Sequence, residues 1–367
     1  MLREFEVSSA EAGFFAEWPW LPNASSLTTP VSLPSLRTLT LQHTPFKWSS
    51  PMLRNLHSLN LRALPTTHLP LDRILTIIAN NPQLQSLVLH VQGVLPAVLP
   101  LAPLTLPHLN TFCVGGHYLL TMLLDNLVLP TLTTLTLDIE ARDPIEDAIS
   151  SLLVRSGRPA LEHLSIAYSA SLLHTAAAVA ASAFYYGPGG MVITWSQLLA
   201  DLSELKSLRV GGTAFGPLLG ALAPPDDDTL TGLNPTSLHP PQPTVSVLGV
   251  GAAAGMTAQS WTWACPKLEV LGLRNCHAHN EGVNKMVQMI EARNPPLSAS
   301  NNGNNGNAGI SSIASTPMRL RKLEMHDCTN LGEDVMKWLE TRITEVICTD
   351  PIIERCVCSL CLIIGFV

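Results

Sequence analysis

Charged side chains are scarce in this chain. They make up 13% of its 367 residues, about half of the ~25% share that is usual in soluble proteins. The formal net charge is −7, and no run of five or more lysines and arginines occurs. Nucleic acids and anionic membrane surfaces are bound by clustered cations. We therefore expect neither of them as a partner.

Long uninterrupted apolar runs are missing as well, although 46% of the residues are apolar. No run reaches the ~18 residues that a transmembrane helix needs. The N-terminus, MLREFEVSSAEAGFF, has acidic residues where a signal peptide would have an apolar run. We expect a soluble intracellular protein of the cytoplasm or nucleus, whose eight cysteines stay reduced.

Signatures of catalysis are also missing. The sequence contains no G-x-S-x-G, no H-E-x-x-H and no Cys/His nucleophile pair with supporting context. The stretch VGGTAFG at 210–216 has neither the G-x-G-x-x-G spacing nor a Walker lysine, so we favour a tight turn over a phosphate-binding loop. Cys276, His277 and His279 have no second ligand pair at zinc spacing. We expect no enzyme activity, no cofactor and no metal site.

Leucine and proline, in contrast, are abundant, with 61 and 29 residues. Together they predict short apolar segments separated by breaks, not long helices. Many leucines follow the pattern Leu-x-x-Leu-x-Leu. The strict copies are Leu36/Leu39/Leu41, Leu56/Leu59/Leu61, Leu84/Leu87/Leu89, Leu132/Leu135/Leu137 and Leu268/Leu271/Leu273. Looser copies are Leu109/Phe112/Val114, Leu161/Leu164/Ile166, Leu205/Leu208/Val210 and Leu320/Leu323/Met325. Leu101/Leu104/Leu106 also matches, but it lies only eight residues before the next copy and we interpret it as accidental.

Proline and spacing support these nine copies. In six of them a proline stands two residues before the first leucine, where it favours the extended backbone that a strand needs. The first leucines are 20, 28, 25, 23 and 29 residues apart as far as Leu161, which fits the ~20–29-residue period of leucine-rich repeats. The next intervals of 44, 63 and 52 residues predict insertions in the C-terminal half.

Helices are predicted between the strands. Asp143-Pro144-Ile145-Glu146 is typical of a helix start, and Gly157 of the following stop. The fold class predicted is α/β, a leucine-rich-repeat solenoid or horseshoe with parallel strands on its concave face and helices outside. The predicted organisation is an N-terminal segment at 1–30, repeats at 31–345 with insertions at about 168–195, 212–262 and 294–317, and a C-terminal tail at 346–367.

Two C-terminal segments have the same design. LEVLGLRNC at 268–276 and LRKLEMHDC at 320–328 each end in a cysteine three residues after the last strand position. A small thiol suits the buried turn after a strand, so we favour core cysteines over metal ligands at Cys276 and Cys328. In the tail CVCSLCLIIGFV at 356–367, a buried cap or a wrongly predicted gene end is favoured over metal binding or acylation.

These strands, together with SGRPALEHLSI at 156–166 and the two cysteine-ended segments, resemble the leucine-rich-repeat region of F-box/leucine-rich-repeat (RNI-like) proteins of mushroom-forming fungi. The resemblance covers about 31–345. It implies a non-catalytic substrate-binding part of a ubiquitin ligase receptor, and a cullin-ligase adaptor as a further partner. The ~30 residues before the first repeat are fewer than the ~40–50 that an F-box needs. An F-box echo at Leu69–Leu75 is better interpreted as a repeat helix. The alternative is an intracellular scaffold or inhibitor without a ligase role.

Side chains alternate along a strand, so the positions between the leucines face away from the core. We expect a protein or peptide ligand on this surface. The candidate binding residues are Arg62, His90, Asp138, Arg209, Arg274, Lys322, Glu324 and His326. Charge collects in the last three repeats, where it would orient an acidic peptide and speed its association. A solvated face without a partner is the alternative.

Overall fold

The computed structural model describes residues 2–8, 33–44, 46, 48–139, 145–167, 195–211, 215–224, 263–274, 276, 280–296, 317–326, 328 and 331–349. Some sequence predictions fall outside these residues. They are the Asp143-Pro144 helix start, His277, His279, most of the predicted insertions, and the tail cysteines at 356, 358 and 361. Those remain predictions.

Eleven strands form one parallel sheet within the described residues. They are β1 (Glu4–Ser8), β2 (Thr38–Gln42), β3 (Ser58–Arg62), β4 (Ser86–Val91), β5 (Thr111–Gly116), β6 (Thr134–Ile139), β7 (His163–Ala167), β8 (Ser207–Gly211), β9 (Val270–Arg274), β10 (Lys322–His326) and β11 (Glu345–Thr349). Each strand pairs with the ones before and after it in this series, so spatial order equals chain order. The architecture is mixed α/β, as predicted, and is compatible with an α/β solenoid.

All nine leucine-pattern copies supply a strand of this sheet, and two further strands lie at its ends. β1 lies within the predicted N-terminal segment, and β11 begins at the last residue of the predicted repeat range. Their sequences, EFEVS and EVICT, contain no leucine, which is why the pattern does not detect them. Leu104 belongs to a two-residue strand outside the main sheet, in agreement with our treating that match as accidental.

The repeated positions build one continuous aliphatic core. The three pattern positions of every copy are at most 3% exposed. Neighbouring strands hold these positions in the same register, so Leu39, Leu59 and Leu87 lie side by side. Burying one such side chain stabilises the fold by about 1.5–3 kcal/mol, and the gain recurs at each strand because the core positions of neighbouring strands lie in register.

Seven α-helices occur in the described part between the strands. They are α1 (Leu71–Ala79), α2 (Thr121–Asn126), α3 (Ile145–Arg155), α4 (Trp195–Ala200), α5 (Phe215–Leu222), α6 (Asn280–Arg293) and α7 (Glu333–Arg342). α3 ends before Gly157, whose φ of +77° is a left-handed conformation that glycine adopts without strain. No helix of the described residues is long and apolar enough to cross a membrane. Two short parallel strand pairs, His68–Pro70 with Gly93–Leu95 and Leu104–Thr105 with Leu127–Val128, add to these connections.

Several described residues inside the predicted insertions at about 168–195, 212–262 and 294–317 are buried. Trp195, the first residue of α4, is 2% exposed. α5 lies inside the predicted excursion at 212–262, and it buries Leu218, Leu219 and Leu222. FGPLLGAL contains glycine and proline, which are frequent in loops. The leucines one helical turn apart decide the structure, because burying them favours the helix.

Buried asparagines connect neighbouring segments of the array. The side chain of Asn81 accepts a hydrogen bond from the Leu56 amide at 2.8 Å and donates to the carbonyls of Leu53 and Ile77. Asn294, within the last predicted insertion, accepts from the Leu320 amide at 2.9 Å and donates to the Leu320 carbonyl. Each asparagine satisfies backbone groups that burial would otherwise leave unpaired.

Candidate binding face

The positions between the core leucines form three rows across the sheet, which we call the polar face. The first row is Glu4, Thr38, Ser58, Ser86, Thr111, Thr134, His163, Ser207, Val270, Lys322 and Glu345. The middle row is Glu6, Thr40, Asn60, Val88, Cys113, Thr136, Ser165, Arg209, Gly272, Glu324 and Ile347. The last row is Ser8, Gln42, Arg62, His90, Gly115, Asp138, Ala167, Gly211, Arg274, His326 and Thr349. Every predicted binding residue lies in one of these rows.

Short hydroxyl side chains dominate the centre of the polar face. From β2 to β7, the first and middle rows contain eight serines and threonines, namely Thr38, Thr40, Ser58, Ser86, Thr111, Thr134, Thr136 and Ser165. All eight are half-buried. Hydroxyl groups both donate and accept hydrogen bonds, so this centre can bind polar groups of either kind.

His90 lies across its neighbouring strand because that strand has a glycine beside it. A Cβ atom on Gly115 would stand 2.5 Å from Nδ1 of His90. The ring occupies this space and is half-buried. Burial lowers the pKa of His90, and the charges of Arg62 and His43 lower it further, while Asp138 opposes them. The desolvated ring therefore favours its neutral form near pH 7.

A second side chain crosses a glycine at the C-terminal end of the face. A Cβ atom on Gly272 would stand 2.8 Å from Cγ of Arg209. Arg209 instead passes over this position and reaches Glu324 two strands away, with Nε–Oε2 and Nη2–Oε1 distances of 3.0 and 3.4 Å. The hydrogen bond from Arg209 is the largest cause that lowers the pKa of Glu324. The carboxyl group therefore stays ionised.

Lys322 joins the same charge network. Its Nζ lies 2.7 Å from Oε1 of Glu345 and 3.2 Å from Oε1 of Glu324. Hydrogen bonds to these two carboxylates raise the pKa of Lys322. The network contains two cations, Arg209 and Lys322, and two anions, so its formal charges cancel.

This network changes the prediction for the last repeats. We expected their charges to attract an acidic peptide, but Arg209 and Lys322 already contact carboxylates of the chain itself. His326 is also engaged, because its Nδ1 lies 2.9 Å from Oγ1 of Thr349. The predicted residues therefore form three separate groups. His90 interacts electrostatically with Asp138 and Arg62. The ion network lies beside His326, and Arg274 lies between Gly211 and His326 in the last row.

Sequence reasoning missed the acidic residues that the end strands add to the face. Glu4 and Glu6 are exposed at one end, and Glu345 is exposed at the other. The alternation of acidic and apolar residues in EFEVS is the signal that could have located β1. Glu345 gives no comparable signal, because its role depends on its pairing with Lys322.

The two repeat cysteines lie in the core, in agreement with the interpretation that we favoured. Sγ of Cys276 lies 3.2 Å from the carbonyl oxygen of Arg274, and Sγ of Cys328 lies 3.4 Å from that of His326. Both side chains are buried. The matching contacts show that the two segments have the same local structure.

A separate cleft of about 190 Å³ lies away from the predicted residues. Its lining consists of Trp48, Ser49, Ser50, Leu53, Arg54, Arg73, Thr76, Ile77 and Asn80. Arg73 donates a hydrogen bond to the carbonyl of Trp48 at 3.4 Å. None of the three rows contributes to it.

Comparison with known proteins gives no match, either to a protein-family model or to a curated protein.

Proposed function

We propose that the chain is a leucine-rich-repeat solenoid whose polar face is concave and binds an extended segment of a protein partner without catalysis. The observation that carries this proposal is the common register of the three rows across all eleven strands. Adjacent strands are ~4.8 Å apart, so ten intervals make a surface roughly 48 Å long. A surface of this length suits a protein segment better than a small molecule, which needs an enclosing pocket.

The chemistry of the rows supports a polypeptide ligand. Half-buried hydroxyl groups at the centre can bond to backbone amides and carbonyls of an extended chain. The charged groups lie towards the sides of this centre, where they can select side chains of the ligand. Peptides that add to a sheet edge are recognised by backbone hydrogen bonds and side-chain selection together, and we propose the same two contributions on this face.

We further propose that the protein partner is a substrate of a ubiquitin ligase, for which the chain would be the substrate-binding part. The support is the resemblance of the strands and cysteine-ended segments to F-box/leucine-rich-repeat proteins. The F-box-like stretch at 69–75 adds no support to this proposal. Residues 69–75 belong to a short strand and α1, where Leu69, Leu71 and Ile74 are buried in the common core.

Affinity purification of the tagged chain from its own cells, with the proteasome inhibited, tests both proposals. The matched variants are Thr136→Arg, at the centre of the polar face, and Ser151→Arg, on an exposed position of α3. Equal melting temperatures would establish that both variants fold. Partners other than ligase subunits, identified by mass spectrometry, should be lost with Thr136→Arg and kept with Ser151→Arg.

The composition of the partner set separates the two roles. A cullin and its adaptor among the partners would support the ligase role. Face-dependent partners without any ligase subunit would overturn it and leave a scaffold or inhibitor. If the partners other than ligase subunits bind the Thr136→Arg variant as well as the wild type, the assignment of the polar face is overturned.

A further inference from the structure

Two arginines of the last row are not used by the charge network. Arg62 of β3 and Arg274 of β9 are both exposed. Among the residues that the structure describes, neither guanidinium group has a carboxylate or hydrogen-bond partner. Guanidinium groups bind carboxylates with two parallel hydrogen bonds. These two side chains are therefore the cations with which the face can bind acidic groups of a ligand.

The last row between these arginines has little side-chain bulk. It runs through His90, Gly115, Asp138, Ala167 and Gly211. Two of the five residues are glycines and one is an alanine, while the His90 ring lies over the first glycine. A chain following this row can approach the backbone of the sheet more closely than it can along the other rows.

The strand register sets the distance between the two cations. Arg62 and Arg274 are six strand intervals apart, or roughly 29 Å along the sheet at ~4.8 Å per interval. An extended chain advances ~3.3 Å per residue, so about nine residues cover this distance. Asp138 lies midway, three intervals from each arginine.

We propose that the last row binds an extended peptide with two acidic residues about nine positions apart. One acidic residue bonds to Arg62 and the other to Arg274. This inference rests on the proposed function, because it names the kind of segment that the polar face holds. It also replaces the general preference for acidic peptides with a defined spacing.

A random library of sixteen-residue peptides displayed on phage, selected on the full chain, tests the spacing. The selected peptides should be enriched in acidic pairs eight to ten positions apart over pairs at other distances. Fluorescence anisotropy then gives the affinity of a selected peptide for the wild type and for three variants. These are Arg62→Gln, Arg274→Gln and a control, Arg54→Gln, which removes an exposed arginine outside the face.

Each of the two face variants should weaken binding by about three- to fivefold, the size of an exposed ion pair. The Arg54→Gln control should stay within about twofold of the wild type. A peptide whose two acidic residues are only four positions apart should bind the wild type as weakly as the selected peptide binds Arg62→Gln or Arg274→Gln. Raising the salt concentration should reduce affinity more for the wild type than for either face variant.

Failure of this inference and failure of the proposed function give different results. The selected peptides could lose binding with Thr136→Arg, yet contain no acidic pair and bind Arg62→Gln and Arg274→Gln as well as the wild type. That result would overturn the proposed spacing and leave the polar face as the binding surface. Selected peptides that all bind the Thr136→Arg variant normally would overturn both proposals.

Discussion

At the scale of single residues, two glycines decide which side chains of the polar face meet. Gly115 makes room for the ring of His90, and Gly272 makes room for Arg209 on its way to Glu324. A residue with a Cβ atom at either place would meet the side chain that now crosses it. Glycine weakens a strand. At Gly272 this loss of strand stability is accompanied by the contact of Arg209 with Glu324, which lies two strands away.

A double-mutant cycle measures the effect of Gly272. Arg209→Gln should lower the free energy of unfolding by up to ~1 kcal/mol, because the ion pair is largely exposed on the arginine side. In a protein that already has Gly272→Val, the same change should have almost no effect, since the valine displaces Arg209 from Glu324. Urea unfolding of the four proteins gives the coupling energy. If Arg209→Gln lowers the free energy of unfolding equally with and without Gly272→Val, Arg209 does not pass over Gly272 to reach Glu324.

His90 should make stability depend on pH. Its pKa in the fold is lowered by burial, so below the unfolded value of about 6.5 the unfolded chain binds more protons than the folded one. The free energy of unfolding should therefore fall as the pH is lowered from 7 through this value. His90→Gln should make the fall shallower, and Asp138→Asn should make it steeper because Asp138 opposes the lowered pKa. Urea titrations at several pH values provide the test, and an unchanged slope in His90→Gln would refute it.

At the scale of elements, the connections between strands depend on a few buried polar groups. Arg293, at the end of α6, donates hydrogen bonds to the carbonyls of Ala264, Cys265 and Leu222 at 2.5, 3.2 and 3.4 Å. Its guanidinium group also lies over the ring of Trp263. Burial lowers the pKa of Arg293 to about 10, so the side chain is still charged near pH 7. It connects α5, α6 and the start of the repeat that contains β9.

Asn81 offers a direct test of such a connection. Asn81→Ala removes three hydrogen bonds and leaves the Leu56 amide buried without a partner, so it should cost about 2–3 kcal/mol of unfolding free energy. The control is Asn126→Ala, which removes one hydrogen bond to the Met122 carbonyl and should cost less than ~1 kcal/mol. Urea unfolding measures both. Similar losses for the two variants would show that Asn81 does not connect the repeats as described.

The strands with leucines could be predicted from sequence because each needs the same three buried positions, which a short pattern captures. β1 and β11 escape this pattern, because a strand at either end of the described sheet has one neighbouring strand and needs less apolar surface. Of the two, only β1 has an alternation of residues that could have located it. α5 was missed because glycine and proline are frequent in both loops and helix ends. The charge network depends on Lys322 lying beside Glu345, a pairing that no local sequence spacing shows. The individual rows were predictable, whereas the contacts across them were not.

At the scale of the whole molecule, burial is unequal along the sheet. The core residues of β2 to β10 are at most 3% exposed, whereas no residue of β1 or β11 is buried. Hydrogen exchange followed by mass spectrometry should therefore show strong amide protection in β2 to β10 and the weakest in β1 and β11. Uniform protection across the eleven strands would instead indicate that the array unfolds in a single step.

The strict agreement between spatial order and chain order has a consequence for evolution. Because each strand of the described sheet pairs only with the strands before and after it, a duplicated or deleted repeat changes one backbone junction and leaves the other pairings intact. The distance between Arg62 and Arg274 would then change by one strand interval at a time. If the last row binds as we propose, gene duplication within such a chain would produce relatives that bind peptides with different spacings between the two acidic residues. The two arginines that bind these residues would stay the same.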